Sequence, residues 1–482
     1  MGFENRKAVN TLLLVIAAFV ASTASISNQA ISNQAFGAYV DFVSETVVVD
    51  SPVSVASADF DDDGHLDLAV VSSDTDSVQI FLGDGLGTFG DATEFTVGET
   101  PSAIEVADFD GDTNLDLVVT NFVGSTFSIL LGDGTGSFEE QVEYDCGLIP
   151  TSLAVGDFDE DGWLDVAIAN HGSSTLTIHP GDGLGGFEDE TSISVPNYPA
   201  FLRTGDFDED GHLDLLVSNS QESNFSIRFG EGDGTFPEVQ VTELGADDAI
   251  WFLRATDVDD DGHLDVVLPC PLQDAVGVFL GDGTGTLAPL EEYGVGLYPV
   301  RAAVADYDHD GTLDFACLNN ASNDLSIYTG DGEGGFDDGG EFAAIFNGIA
   351  LATGDFDEDG MIDLVVGSSL GDELEVKLNR SVLPGAPFFM RGDVTLDGVL
   401  TIADPIMTLS ILFGNGALVA QCFDSADVND DGQLFISDAI ALLMFIFGSG
   451  SVSPAAPGAL ECGYDMTDDN LPDCVGIPDN CP

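Results

Sequence analysis

The sequence predicts a mainly β protein: a seven-bladed β-propeller of four-stranded blades, followed by a small α-helical domain built on two acidic loops. Three observations predict it. An aspartate cassette, first met as Asp59-Phe-Asp61-Asp-Asp63-Gly64-His-Leu-Asp67, recurs from Asp108, Asp157, Asp206, Asp257, Asp306 and Asp355, with starts 49 residues apart save one interval of 51. Short apolar runs of strand length flank each cassette, and glycine turns separate them. Near the C-terminus the period gives way to two twelve-residue acidic loops, each leading into an apolar run of helical length. A fixed period of roughly 50 residues marks one structural unit packed repeatedly on its own copies.

Residues 1–24 read as a secretory signal peptide, with Arg6 and Lys7 before the apolar run Thr11 to Val20 and small residues for cleavage at Ser22-Thr23-Ala24. That run is short for a bilayer and no later one is long enough, so no transmembrane segment is expected and the protein reads as secreted, extracellular or at the cell surface. Residues 25–35 are a short N-terminal segment, and residues 36–380 hold the seven units. The second unit shows their plan. Strands are expected at Ala103 to Ala107, Leu115 to Thr120, Thr126 to Leu131 and Glu140 to Tyr144, with the turn Gly132-Asp-Gly134-Thr-Gly136-Ser-Phe138 before the last. The seventh unit leaves the pattern before a fourth strand, whereas Ala38 to Val49 aligns with one, so the N-terminal strand is expected to close the ring and remove its free edges.

Nine basic against 87 acidic side chains give a formal charge of -78, which repels phosphate backbones and excludes nucleic acid as a partner. Cations are the natural partners, and the cassettes say where. Aspartates at positions 1, 3, 5 and 9 of a nine-residue loop converge on one point, with the carbonyl of position 7 adding an oxygen, a donor set that suits calcium better than magnesium. The candidate ligands are Asp59, Asp61, Asp63 and Asp67; Asp108, Asp110, Asp112 and Asp116; Asp157, Asp159, Asp161 and Asp165; and Asp206, Asp208, Asp210 and Asp214. The fifth to seventh cassettes add Asp257, Asp259, Asp261 and Asp265; Asp306, Asp308, Asp310 and Asp314; and Asp355, Asp357, Asp359 and Asp363. The second cassette carries Thr113 where the others have glycine, so weaker binding is expected there. His65, His212 and His263 stand at position 7, where only the backbone is needed.

The cassette together with the Gly-Asp-Gly-x-Gly-x-Phe turn resembles the FG-GAP or VCBS repeat family, the repeats that build the seven-bladed propeller of integrin alpha subunits. The resemblance covers residues 36 to 380 and implies a calcium ion in each loop, seven in all, with adhesion or ligand binding on the propeller's other face.

After a linker at 381–390, residues 391–450 carry the two longer loops, 34 residues apart. Asp393, Thr395, Asp397 and Asp404 are the candidate ligands of the first, and Asp427, Asn429, Asp431 and Asp438 of the second, at EF-hand spacing. Two loop-helix units of this kind resemble a dockerin domain, which implies two further calcium ions and a cohesin-like or envelope partner, although Thr395 and Phe435 depart from the pattern. The tail 451–482 holds Cys462, Cys474 and Cys481, which with Cys422 make two disulfides of open pairing; Cys270 and Cys317 read as buried hydrophobes.

On the face away from the cassettes, Asn121, Asn170, Asn219 and Asn319 with Tyr198, Trp251, Tyr298 and Phe346 suggest a sugar platform, and Arg203, Arg254 and Arg301 a grip on an acidic group. The expected function is that of a secreted calcium-binding adhesion or ligand-binding protein, with an unidentified protein or glycan ligand and an attachment module at the C-terminus. No HExxH is present and no acid pair stands apart from the candidate calcium ligands, so no enzyme activity is expected. The alternatives are a polysaccharide-degrading lyase or hydrolase, an accessory subunit of one, or a purely structural surface protein.

Overall fold

The computed structural model describes residues 42–381, apart from 196–197, 222 and 245–249. The leader, the C-terminal loops with Asp393, Thr395, Asp397, Asp404, Asp427, Asn429, Asp431 and Asp438, and the cysteine-rich tail lie outside the described residues.

Each unit folds as an antiparallel four-stranded sheet, and there are seven. In the second, the strands are Pro101–Ala107, Asp116–Asn121, Thr126–Leu130 and Val142–Asp145, within a residue or two of the sequence expectation. The second strand of every blade is buried along its whole length, as in Asp67–Ser72, because blades cover both of its faces. Its continuous apolar run is therefore the correct signature, whereas the outermost strand Glu238–Glu243 alternates toward solvent.

The seventh sheet is completed from the other end of the chain. Phe42–Val48 pairs antiparallel with Glu373–Asn379, in register from Phe42 opposite Asn379 to Val48 opposite Glu373. The innermost strands then follow one another in a closed cycle, with Pro52–Ala58 of the first blade beside Ala350–Gly354 of the seventh.

Repeated phenylalanines lock four of the blades to the next. The cassette ring Phe60 meets the turn ring Phe138 of the following blade edge-on, with centroids 5.7 Å apart, and Phe109–Phe187 and Phe158–Phe236 repeat this contact. Phe356 of the last cassette meets Phe89 of the first blade in the same way, at 5.8 Å, across the closure. Such pairs contribute ~0.5–1.5 kcal/mol each beyond the area they bury. Beside each ring pair, the turn glycine donates its N–H to the cassette phenylalanine's carbonyl: Gly136 to Phe60 at 2.8 Å, Gly87 to Phe356 at 2.9 Å. Gly136 has φ of 72°, a conformation that costs glycine little.

Candidate cation loops and ligand face

Every cassette connects the innermost strand of its blade to the second, so all seven loops lie on one face of the ring. The aspartate at position 9 opens the second strand and is buried. Asp67 accepts the N–H of Phe60 on Oδ2 at 2.7 Å and that of Gly83 on Oδ1 at 2.8 Å, which ties the loop to the glycine turn of its own blade. Asp116, Asp165, Asp214, Asp265 and Asp314 do the same, and Asp363 takes the N–H of Asn379 in place of the turn glycine's. Position 1 holds the backbone of the loop: Asp59 Oδ2 accepts the N–H of Gly64 at 2.9 Å.

Positions 1, 3 and 9 come together. In the first, second, third and fifth cassettes, one carboxylate oxygen from each lies within 4.8 Å of the others. In the fourth, Asp206, Asp208 and Asp210 converge instead, from positions 1, 3 and 5. Position 5 elsewhere also has a backbone role, as Asp63 Oδ1 accepts the N–H of His65 at 2.9 Å. Burial raises the position 9 carboxyls above the ordinary range, and the charges beside them add to the rise. Burial first, then the charges of Asp61 and Asp59, hold Asp67 at about 6 against its two N–H donors. For the same leading reason, burial, Asp116, Asp165, Asp214 and Asp265 stand at about 6 and Asp314 and Asp363 at about 7.

Two features of the loops escaped the sequence reading. Position 7 supplies more than its backbone where it is histidine: the imidazole leans on position 4 of the preceding cassette. His212 Nδ1 is hydrogen-bonded to Glu160 at 2.5 Å, and His65 to Glu358 and His263 to Glu209 match it. In the third cassette Trp163 stands at position 7, and position 4 of the preceding cassette is Gly111, where a Cβ would lie 3.4 Å from the indole. The second feature is Arg380, at the end of the seventh blade. Its Nη2 lies 2.5 Å from Asp357 and its Nη1 donates to Asp359 at 2.6 Å, so the seventh cassette has a cation of its own. Thr113 adopts φ of 81°, the strain foreseen, and in its loop Gly111 rather than position 5 donates to Asp108 Oδ1, at 2.8 Å.

The opposite face corrects the sugar platform. Asn121, Asn170, Asn219 and Asn319 are buried at strand ends and hydrogen-bonded within their own blades, as Asn121 Nδ2 is to Thr126 and Ser128 at 3.0 and 2.9 Å. They hold hairpins and are not free for a ligand. Tyr198, Trp251, Tyr298 and Phe346 are exposed there as expected, at 38%, 45%, 43% and 64%. His171 stacks on Trp251 with centroids 5.6 Å apart and packs beside Tyr198. A cavity of ≈ 280 Å³ opens among Trp251, Phe252, Pro271, Tyr298 and Val300. Arg203, Arg254 and Arg301 sit on innermost strands. Cys270 and Cys317 are buried, as expected, and no helix among the described residues is long and apolar enough to cross a membrane.

A model of the FG-GAP-like repeat matches residues 59–119, 108–168, 157–217, 206–268 and 306–366. No curated protein matches the sequence. Among solved structures, BBS1N in complex with ARL6DN, soaked with lead, is similar in fold, with a TM-score of 0.52 and 15% identity over 72% of this chain and 98% of that one. A catalytically inactive virginiamycin B lyase from Staphylococcus aureus with quinupristin follows at 0.49 and 12%, over 70% of this chain and 99% of that one.

Proposed function

Because the chain belongs to the FG-GAP-like repeat family, a β-propeller type that serves ligand binding or protein interaction, we propose that it is a secreted binding protein whose cassette face is held by calcium and whose opposite face takes the ligand. The observation that carries this reading is the division of the ring into two unlike faces. One gathers carboxylates in every blade, and the other exposes Tyr198, Trp251, Tyr298 and Phe346 around the ≈ 280 Å³ cavity. Aromatic faces that are rigid and partly dry are the usual anchors of protein and glycan ligands.

The donor set fits calcium. The buried Oδ1 atoms of Asp61 and Asp206 lack a hydrogen-bond partner, and each belongs to a converging trio of hard oxygen donors. Positions 1, 3 and 9, with position 5 in support, would hold the ion, whose charge offsets the mutual repulsion of the carboxylates. Weak all-oxygen sites fill at the ~1 mM calcium met outside the cell, which agrees with the leader read at residues 1–24. The loops of residues 391–450 and their two ions belong to the same proposal, as an anchoring module for a cohesin-like or envelope partner. BBS1N, similar in fold, was crystallised in complex with another protein, which supports a protein as well as a glycan ligand here.

Binding of the calcium-loaded full chain to glycan and protein arrays, with analysis of any released product, tests this reading. Retention of one ligand class without turnover, lost in the Trp251→Ala, Tyr298→Ala variant, is the expected result. Released oligosaccharide would favour the lyase or hydrolase alternative, and equal retention by the variant would remove the aromatic face from the proposal.

A further inference from the structure

The chain has only nine basic residues, yet three of them, Arg203, Arg254 and Arg301, lie on the innermost strands of blades four, five and six. Strand alternation puts Phe201 and Arg203 on one side of their strand, and Phe252 and Arg254 on one side of theirs. Two contacts say which side that is. Arg203 Nη1 reaches Glu105 Oε1 of blade two at 3.0 Å, and the Arg301 guanidinium of blade six lies 5.6 Å from the Phe201 ring of blade four. Blades that are not neighbours in the ring meet only across its axis, so these side chains occupy the axial channel. At the level of Arg203 and Arg254 the remaining blades, apart from Glu105, contribute Ala56, Ala154, Ala303 and Ala352, which bring no further charge.

Charge is unbalanced in this channel, and with the opposite sign to the rest of the molecule. Glu105 answers Arg203, but Arg254 and Arg301 have no ion pair among the described residues, and Arg254 Nε is buried without a hydrogen-bond partner. Arg301 lies 4.9 Å from the Phe252 ring, an attraction that leaves its N–H donors unused. Burial, then the charges of Arg203 and Arg254, push it down to about 10, so it stays charged at neutral pH. Guanidinium forks match the paired oxygens of carboxylate and sulfate, and buried like charges gain most from such a partner. Phe252 also lines the cavity with Trp251 and Tyr298, which sets flat apolar surfaces next to the charge. A sugar ring bearing an acidic group satisfies both halves.

We propose that Arg203, Arg254 and Arg301 form an oxyanion site in the axial channel, which takes the carboxylate or sulfate group of an acidic sugar. The sugar half rests on the reading of the aromatic face as the ligand face; the anion half does not. Calorimetric titration of the calcium-loaded full chain with glucuronate, sodium sulfate and glucose separates them. Glucuronate should bind saturably, sulfate more weakly and glucose not at all. Losing two charge-assisted contacts in the Arg254→Met, Arg301→Met variant should weaken glucuronate roughly 10- to 100-fold at unchanged calcium stoichiometry, and Arg301→Lys should fall between. Trp251→Ala should weaken glucuronate alone. Sulfate binding without any preference for glucuronate would overturn the sugar half. Failure of both anions to bind, or equal binding by the double variant, would overturn the site even if the arrays find a ligand for the aromatic face.

Discussion

The cassette face and the axial channel draw on the same innermost strands, and they fail electrostatically in opposite directions. Each cassette gathers carboxylates around a point that the chain leaves, in six blades of seven, without a cation of its own. The channel gathers guanidiniums and supplies one carboxylate. In a chain of 87 acids and nine bases, a cation-poor rim follows from composition, but an anion-poor channel does not. Composition therefore explains the sign of the rim and not its geometry, while in the channel both sign and geometry require a local cause. Self-repulsion at either place is relieved only by a partner of the other sign, which makes the two regions independent tests of one physical idea.

Stripping the rim of cations should have the largest effect. A ligand at 100 times its Kd stabilises the folded state by about 2.7 kcal/mol per site, so melts of the full chain at pH 7.5 should drop by many degrees when calcium is removed. Acidification should then act in opposite senses on the two forms. Burial holds the position 9 carboxyls of the metal-free fold at about 6 to about 7, above the ordinary 3.8, so the folded state takes up protons that the unfolded chain releases. Metal-free protein should gain stability as pH falls from about 7 toward about 4, whereas the calcium-loaded form should lose it as protons compete for the ligands. A melting point indifferent to calcium would end the rim half of the comparison.

A smaller effect is expected within the rim, between the seventh cassette and the rest. Arg380 already bridges Asp357 and Asp359, so calcium should bind this loop more weakly than its six counterparts. In Arg380→Gln those carboxylates lose their partner. The variant should bind one more calcium ion of high affinity by titration, and in the metal-free state it should be less stable by about 1–2 kcal/mol, a value discounted for partial exposure. An unchanged stoichiometry with an unchanged metal-free melt would show that the arginine is a bystander.

The ring was legible in the sequence because its determinants are local and repeated. A position 9 aspartate opens the second strand of every blade, and a turn glycine followed by phenylalanine docks on the preceding cassette. Even the closure by Phe42–Val48 could be read, since a missing fourth strand and a spare one are both visible in the pattern. The cross-blade pairs were not legible. His212 and Glu160 are 52 residues apart and only the ring brings them together, although a table of positions 4 and 7 in successive cassettes holds the signal. The asparagines misled for the opposite reason: a polar residue at a strand end looks like a surface group until the hairpin it satisfies is known. Arg203, Arg254 and Arg301 were read as a grip on an acidic group at the face away from the cassettes, and the axis they face exists only in the closed ring.

The histidine pairs offer the finest test, because they link loops without being ligands. Glu160, Glu209 and Glu358 are held at φ near 57°, 56° and 56°, where side chains other than glycine are uncommon, so each pair works against local strain. The hydrogen bond to glutamate is the main cause that raises the pKa of His65, His212 and His263 above 6.5. A raised histidine stabilises the fold fully below its unfolded value and ceases to do so as pH rises through the folded one. The triple variant with His65, His212 and His263 changed to Gln should therefore melt slightly below the parent at pH 5.5 and together with it at pH 9, in saturating calcium throughout. Exposed pairs contribute little, so the difference should be the smallest of those described. An equal deficit at both pH values would mean that the imidazoles act by packing between loops rather than by charge, and the coupling of neighbouring cassettes would then be independent of protonation.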